Sequence, residues 1–177
     1  MTIESSEMHP RVEHDTPHGG NSIVLQPEEG ASYWQPSPAN GYSTVKISPD
    51  NCSSNFISMG VQAIAENGYV RGHWHSKHEE ILFCFEGEGE VLVNDVPHRF
   101  VPGTTVFVGR WVRHKITNTG RGYLKMTWTY LPPGLHEFMA AIGRPRTPGE
   151  PAPAPFARRA DTLEIEKQSG FGPKIGE

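Results

Sequence analysis

The chain has little cysteine, no excess of basic charge and no long apolar run. Its two cysteines, Cys52 and Cys84, lie far apart, so we expect free thiols in a cytoplasmic protein. The net charge of −4 argues against a nucleic-acid partner. No apolar stretch reaches the about 20 residues of a membrane span, and the polar N-terminus predicts no secretory signal, so no membrane partner is expected.

Composition divides the chain into three parts. Residues 1–20, rich in histidine, proline, glutamate and glycine, predict a flexible tail. Residues 21–143 carry the dense apolar pattern of one domain. Residues 144–177 begin with a stretch rich in proline and alanine, which predicts an extended tail.

The central part has the pattern of many short strands. Apolar residues alternate in segments such as Phe56–Ala65 and Glu80–Phe85, and turn pairs such as Pro102-Gly103 separate them. This predicts an all-β barrel or sandwich. Pro132-Pro133 ends the strand pattern, and the apolar positions of 135–142 then recur at helical spacing, which predicts one short C-terminal helix.

The clearest functional signal is a group of histidines with one carboxylate. His73 and His75 are two residues apart, so both would face the same side of a strand. Glu80 opens the next apolar strand, and His114 lies on a later one. A curled antiparallel sheet would bring all four into one barrel interior, where they would form a metal site.

The same residues carry a resemblance to the cupin superfamily. The first cupin motif fits a glycine, the His-x-His pair, a glutamate and a second glycine, here Gly68, His73, His75, Glu80 and Gly87. The second motif fits Gly103, His114 and Asn118. It departs at Gly109, where proline is usual, and at Trp111, where glycine is usual and where the indole would add bulk near the site.

The helix after the barrel makes the chain similar to small, single-domain, quercetinase-like metal-binding cupins. The resemblance implies a double-stranded β-helix, the jelly-roll barrel of cupins. It also implies one divalent metal per chain, bound by His73, His75, Glu80 and His114. Imidazole and carboxylate ligands suit Fe(II), which we favour, and also Mn(II), Ni(II), Zn(II) or Cu(II).

Two neighbours of these ligands stay open as alternatives. Glu79 competes with Glu80 for the metal, although the six residues between Glu80 and Gly87 favour Glu80. His78 is expected to be a solvated loop residue, with a role as proton donor at the rim as the alternative. Cys84 shares the parity of Glu80 and is expected to be an inward core residue.

Several other residues are candidates for a substrate pocket. Arg71 precedes His73 by two positions, and an inward arginine there would bind a substrate carboxylate. The aromatic candidates are Trp34, Phe107, Trp111 and Trp128, each of which packing in the barrel would also explain.

These residues favour a metal-dependent enzyme for a small organic substrate. The leading hypothesis is a mononuclear non-haem Fe(II) dioxygenase that cleaves a carbon–carbon bond in an enol, phenol or aromatic ketone, with Glu80 and His114 at the catalytic centre. The alternatives are a redox-neutral isomerase, epimerase or decarboxylase for a sugar or keto acid, and a cupin that binds a metal or small molecule without turnover. The family also predicts a homodimer, in which the region of residues 33–47 would supply a swapped strand.

Overall fold

The computed structural model describes residues 20–171. The predicted tail of residues 1–20 lies outside the described residues except for Gly20, as does the end of the predicted C-terminal tail. The strands are β1 (Ala31–Trp34), β2 (Tyr42–Ile47), β3 (Ser58–Ile64), β4 (Tyr69–His73), β5 (Glu79–Glu86), β6 (Gly89–Val93), β7 (Val96–Phe100), β8 (Thr105–Val108), β9 (His114–Asn118), β10 (Leu124–Leu131) and β11 (Arg144–Pro145). The helices are α1 (Leu135–Ile142) and α2 (Thr162–Gln168).

The strands form two antiparallel sheets around one core. The larger sheet has the order β11-β1-β2-β3-β10-β5-β8, and the smaller one the order β4-β9-β6-β7. Leu82 and Met126 of the larger sheet pack in the same buried cluster as Val91 and Ile116 of the smaller one. The predicted all-β double-stranded β-helix with a C-terminal helix is confirmed, and α2 is a second helix.

Strand alternation places the buried face of each sheet. In β10 every second residue from Leu124 to Tyr130 is buried, and the residues between are only half-buried. In β5 the residues Glu80, Leu82 and Cys84 point inward, because successive strand residues face opposite sides. One polar residue of β5, Glu80, therefore enters the barrel on an otherwise apolar face.

Two tight turns require left-handed backbone conformations, which explains the residue types found there. Asn94 and Asp95 join β6 to β7 with φ of 47° and 66°, the left-handed conformation that two-residue hairpins need. Gly87 has a φ of 88°, and a Cβ at this position would lie 2.5 Å from the carbonyl oxygen of Tyr123. Only glycine fits there, which accounts for the last glycine of the first motif.

The chain after β10 returns over the barrel. Helix α1 buries its apolar face, and the N–H of Gly143 caps the helix by donating to the carbonyl oxygen of Met139. The segment of residues 144–171 then pairs with β1 through β11, forms α2, and reaches His75 by an isolated bridge at Phe171. Within residues 20–171, neither α1 nor α2 has the length and apolar character of a membrane span.

Candidate metal centre

The three histidines of the predicted site meet between the two sheets. His73 ends β4 and pairs directly with His114, the first residue of β9. His75 lies in the turn after β4. The ring centroids are 4.2 Å apart for His73 and His114, 4.8 Å for His73 and His75, and 5.0 Å for His75 and His114. Each ring offers a nitrogen within 4.8 Å of the other two, so the three histidines could ligate one ion.

Backbone carbonyls fix the orientation of two of these rings. Nδ1 of His73 lies 2.7 Å from the carbonyl oxygen of Arg71, and Nδ1 of His114 lies 3.1 Å from that of Val112. A carbonyl oxygen only accepts, so each Nδ1 carries the proton and donates it. Each Nε2 is then left with a free lone pair, the form in which imidazole binds a metal.

Glu80 completes the site from the opposite sheet. Its Oε2 lies 3.1 Å from Nε2 of His114 and 3.4 Å from Nε2 of His75. Glu80 Oε2 and His114 Nε2 are buried, and neither has a partner with hydrogen-bond geometry. A buried polar atom without a partner is costly, and a cation between these two atoms would satisfy both. Three imidazoles and one carboxylate therefore fit a divalent transition metal.

Burial and mutual contact set the protonation of these ligands. Burial lowers the pKa of His73 well below 6.5, and the neighbouring His114 and His75 lower it further. Burial also lowers the pKa of His75. Burial alone would raise the pKa of Glu80, but the imidazoles of His114 and His75 bring it well below the usual range. Near neutral pH the site therefore holds neutral His73 and His75 rings and an ionised Glu80, all competent to bind a metal.

Tyr130 is a fifth polar group at the centre. Its hydroxyl lies 2.8 Å from Nε2 of His75, and the residue is fully buried. Burial, followed by the charge of Glu80, raises the pKa of the Tyr130 phenol well above 10, so the hydroxyl keeps its proton. Sequence analysis missed this residue, although it shares the inward face of β10 with Trp128 and alternation could have revealed it.

A cavity opens beside the histidines. His73, Glu80 and Tyr130 line it on the metal side. Apolar side chains form over half of its remaining lining, namely Pro36, Pro38, Ala39, Val70, Ile116, Leu135, Phe138, Met139, Ile142 and Phe171, and the uncharged polar side chains are Gln35, Ser37, Gln62 and Tyr69. Arg71, Arg158 and Glu166 supply the charge in its lining apart from the metal site. The cavity therefore suits a mostly apolar molecule with one anionic group.

The C-terminal segment covers one side of this cavity, next to the histidines. The ring of Phe171 stacks on Phe138 at 4.4 Å and lies edge-on to His75 at 4.9 Å. The carbonyl oxygen of Gly170 accepts a hydrogen bond from the N–H of Ser76, in the turn that carries His75. No sequence signal located Arg158, Glu166 or Phe171 at the site, because they lie 44 to 98 residues beyond the ligands and their segment has no strand pattern.

The predicted pocket residues are only partly in the cavity. Arg71 lines it, whereas the four predicted aromatics do not. Trp34 packs on Tyr42 in a separate cluster, and Trp128 lies in the core with its indole N–H donated to Ser43. Phe107 points outward from the edge strand β8 and is 62% exposed. Strand parity gives the face of the sheet on which a residue lies, but not its neighbours there, which is why these four were misplaced.

The structure accommodates Trp111 at the position where the second cupin motif usually has glycine. Its φ is 66°, the left-handed conformation for which glycine is the usual residue. The indole points outward onto Trp74, with ring centroids 4.6 Å apart. The N–H of Trp111 donates to the carbonyl oxygen of His75 at 2.8 Å, so the turn still holds the second ligand histidine. The expected bulk near the site is therefore on the outside.

The two open alternatives beside the ligands differ in outcome. Glu80 is buried and Glu79 is only half-buried, which agrees with the choice of Glu80. His78 is not the solvated loop residue that was expected, since it is 6% exposed. Its Nδ1 lies 2.9 Å from the carbonyl oxygen of Pro132 and its Nε2 lies 3.1 Å from that of Ser169. It therefore fastens the C-terminal segment to the end of the barrel.

The cysteines behave as expected. Cys84 is fully buried, and Cys52 is half-buried; neither forms a disulfide. Burial raises the pKa of the Cys84 thiol, which keeps it protonated and unreactive.

Comparison with known proteins relates this geometry to a family. The model of the cupin domain matches residues 60–130. Protein SchB of Streptomyces halstedii is 30% identical over 74 residues, which cover 42% of this chain and 54% of SchB. The match thus spans about half the length of that curated relative.

Solved structures give the same result for the fold. A predicted oxalate decarboxylase of Thermotoga maritima matches with a TM-score of 0.56 and 18% identity, over 63% of this chain and 100% of that one. The polyketide cyclase RemF of Streptomyces resistomycificus matches with a TM-score of 0.55 and 15% identity, over 63% and 80%. Identities this low establish the shared fold alone. Together with the family match and the histidine geometry, they show that residues 60–130 of this chain form a cupin domain.

Proposed function

We propose that this protein is a metal-dependent enzyme for a small enol, phenol or aromatic ketone. One observation carries the proposal: Glu80 Oε2 and His114 Nε2 are buried, lack hydrogen-bond partners and lie 3.1 Å apart, with Glu80 Oε2 also 3.4 Å from Nε2 of His75 and Glu80 in the lining of a cavity. A cation there would satisfy both atoms and would face the cavity. Four protein ligands on an octahedral ion leave room for a substrate oxygen.

The lining of the cavity supports the substrate class. Its wall is mostly aliphatic and aromatic, with α1 and Phe171 covering one side. A sugar would need polar partners for each of its hydroxyls, because a buried hydroxyl without a partner loses free energy, and the uncharged polar side chains that could serve are few, chiefly Gln35, Ser37 and Gln62. An aromatic or conjugated molecule with few oxygen atoms needs fewer such partners and matches this wall better.

The proposed reaction is oxygen-dependent cleavage of a carbon–carbon bond. Bound Fe(II) would supply coordination for the substrate oxygen and reactivity with O2. One O2 is consumed per substrate, and both oxygen atoms enter the products, so no external reductant is needed. Glu80 would help to hold the metal and, as a carboxylate that can leave it, would accept the enol or phenol proton. The Tyr130 hydroxyl, released from His75 Nε2 when that atom binds the metal, would donate a hydrogen bond to the substrate oxygen. Phe171 and α1 would exclude water from the cavity.

A redox-neutral reaction is the second candidate. Arg71 and Arg158 in the cavity lining would suit the carboxylate of a keto acid. Tyr130, with its proton retained, would suit protonation of an enolate after decarboxylation or ring closure. A bound Zn(II) or Mn(II) would then polarise a carbonyl without consuming oxygen.

The test compares oxygen consumption with metal identity. The protein is prepared metal-free, reloaded with Fe(II) or Zn(II), and mixed with a panel of enols, phenols and keto acids. We expect oxygen uptake by the Fe(II)-loaded protein and none by the Zn(II)-loaded protein. The His114→Ala variant should lose this uptake. The control variant His98→Ala should keep it, because His98 is an exposed histidine of β7 outside the site. Turnover without oxygen uptake would support the second candidate instead. Tight metal binding with no turnover of any substrate would favour a binding protein.

A further inference from the structure

A charged cluster lies in the cavity away from the metal ligands. Nη2 of Arg71 and Nη2 of Arg158 both donate to the same atom, Oε1 of Glu166, each at 2.6 Å. The side chain of Glu166 is 8% exposed, and those of the two arginines are about 20% exposed. The other carboxylate oxygen of Glu166, Oε2, is buried without a hydrogen-bond partner. Two cations thus share one oxygen of a single carboxylate.

This cluster is neither neutral nor fully bonded. Two guanidinium groups against one carboxylate leave a net charge of +1 in a partly buried place. A guanidinium can give two parallel N–H groups to a carboxylate, which is its strongest geometry. A second anion, or one placed to accept two N–H groups from a guanidinium, would therefore be attracted by this net positive charge and would accept hydrogen bonds from the two arginines.

The cluster is connected to the metal centre. Arg71 lies two residues before the ligand His73, and its backbone carbonyl oxygen accepts the hydrogen bond that orients the His73 ring. Arg71 and Arg158 line the same cavity as His73 and Tyr130. Val70, Ile116 and Phe138 line that cavity as well. One molecule could therefore touch the centre with an oxygen atom and the arginines with an anionic group.

We propose that Arg71 and Arg158 form a subsite for a carboxylate group of the substrate. In the free protein Glu166 occupies this subsite as an internal carboxylate, and the substrate displaces it. The substrate is then an aromatic or conjugated molecule with a carboxylate at one end and an enol, phenol or ketone oxygen at the other. This rests on the proposed function in placing the substrate in the cavity beside the metal.

The alternative is that the cluster is purely structural and only holds α2 against the barrel. Measurements of ligand binding distinguish this structural role from a carboxylate subsite. Benzoate and its neutral analogue benzamide are titrated calorimetrically into the wild type, Glu166→Gln, Arg71→Gln and Arg158→Gln, each with Zn(II) and without metal. Arg159→Gln is the matched control, because Arg159 lies in the same segment but is exposed and paired with Asp161.

The expected result is selective for charge. Glu166→Gln removes the competing carboxylate and should bind benzoate about tenfold tighter than the wild type, since hydrogen bonds to charged groups are stronger than those to a neutral amide. Arg71→Gln and Arg158→Gln should lose benzoate binding, and Arg159→Gln should bind benzoate like the wild type. The affinity for benzamide should be the same in the wild type and in every variant. Equal benzoate affinity of Glu166→Gln and the wild type would overturn the subsite.

A second measurement uses only the wild type, in case a variant does not fold. Benzoate at saturation should speed hydrogen exchange of the backbone amides of residues 158–171, because it takes the arginines from Glu166, whereas benzamide should not. Unchanged exchange would overturn the displacement of Glu166. Benzoate binding by a protein that takes up none of the metals supplied would keep the subsite and refute the enzyme proposal, whereas metal binding and turnover without benzoate binding would do the reverse.

Discussion

Replacing Phe171 by alanine should open the metal centre without unfolding the barrel. The Phe171 ring is 7% exposed, stacks on Phe138 and touches His75. Truncation of a buried phenylalanine costs about 3–5 kcal/mol. Phe171 lies at the end of the segment that covers the cavity. The substitution should therefore lower the free energy that holds residues 158–171 against the barrel, and it should leave the stability of the β-barrel itself unchanged.

The size of the effect follows from this cost. At about 3 kcal/mol, the equilibrium constant for local opening of residues 158–171 should rise roughly 100-fold, since 1.4 kcal/mol is a factor of ten. Hydrogen exchange of the amides of this segment should accelerate by the same factor, and a chelator should extract a bound metal faster. The exchange of β10 should stay as in the wild type.

A matched substitution makes the result specific. Phe85→Ala removes the same atoms from the outer face of β5, where the ring is 40% exposed. It should change neither the exchange of residues 158–171 nor the rate of metal extraction. The reasoning would be refuted if Phe171→Ala also left both rates unchanged, or if it accelerated exchange throughout the barrel.

Three further predictions concern ligand support, stability and pH. Tyr130→Phe should strengthen metal affinity several-fold in a competition with a chelating dye, because the Tyr130 hydroxyl lies 2.8 Å from Nε2 of His75 and its hydrogen bond to that lone pair competes with an ion; a weaker affinity would contradict this. Asn118→Ala should lower the free energy of unfolding in urea by about 1–3 kcal/mol, because the Asn118 side chain donates to the buried carbonyl oxygen of Ile64 at 2.9 Å; a smaller loss would deny that role. The metal-free protein should lose stability as the pH falls below 6.5, since the pKa of His73 and of His75 is lowered in the folded state and only the unfolded state takes up protons there. Each ring should contribute up to about 1.4 kcal/mol per pH unit, and a thermal midpoint that stays constant between about pH 7 and 5 would count against it.

Periodicity was sufficient for the barrel because each strand carries its own signal. The inward face of β5 reads directly as Glu80, Leu82 and Cys84, and α1 begins and ends where its apolar spacing predicts. Local sequence decides these elements, since alternation and helical spacing follow from backbone geometry. The histidine cluster was predictable for the same reason, once the strands were assumed to curl.

The closure of the cavity was not predictable in this way. The proline- and alanine-rich sequence of residues 144–156 gives no period, and it led to the prediction of an extended tail. The contacts that bring the following residues back are long-range, such as Arg71 with Glu166 and His78 with Ser169. A single sequence contains no local signal for which charged residues will meet across 95 positions.

The homodimer stays a prediction. In the single chain β1 and β2 pair with each other, and β2 pairs with β3, so no swap is needed to complete the sheet. The outer face near the edge strand β8 exposes Ile81, Phe83 and Phe107. Light scattering on an eluting sample would measure the mass, and a monomer would refute the prediction.

The central claim, that His73, His75, Glu80 and His114 bind one metal ion, is tested most directly by metal content. The protein and its His114→Ala variant are purified without a histidine tag or chelator and analysed for metals, with circular dichroism to show that both are folded. We predict about one divalent transition metal per chain in the wild type, with iron as the expected element, and a large loss in the variant. A folded His114→Ala variant that keeps the full metal content, or a wild type that binds none even when Fe(II), Zn(II) or Mn(II) is supplied, would contradict the account.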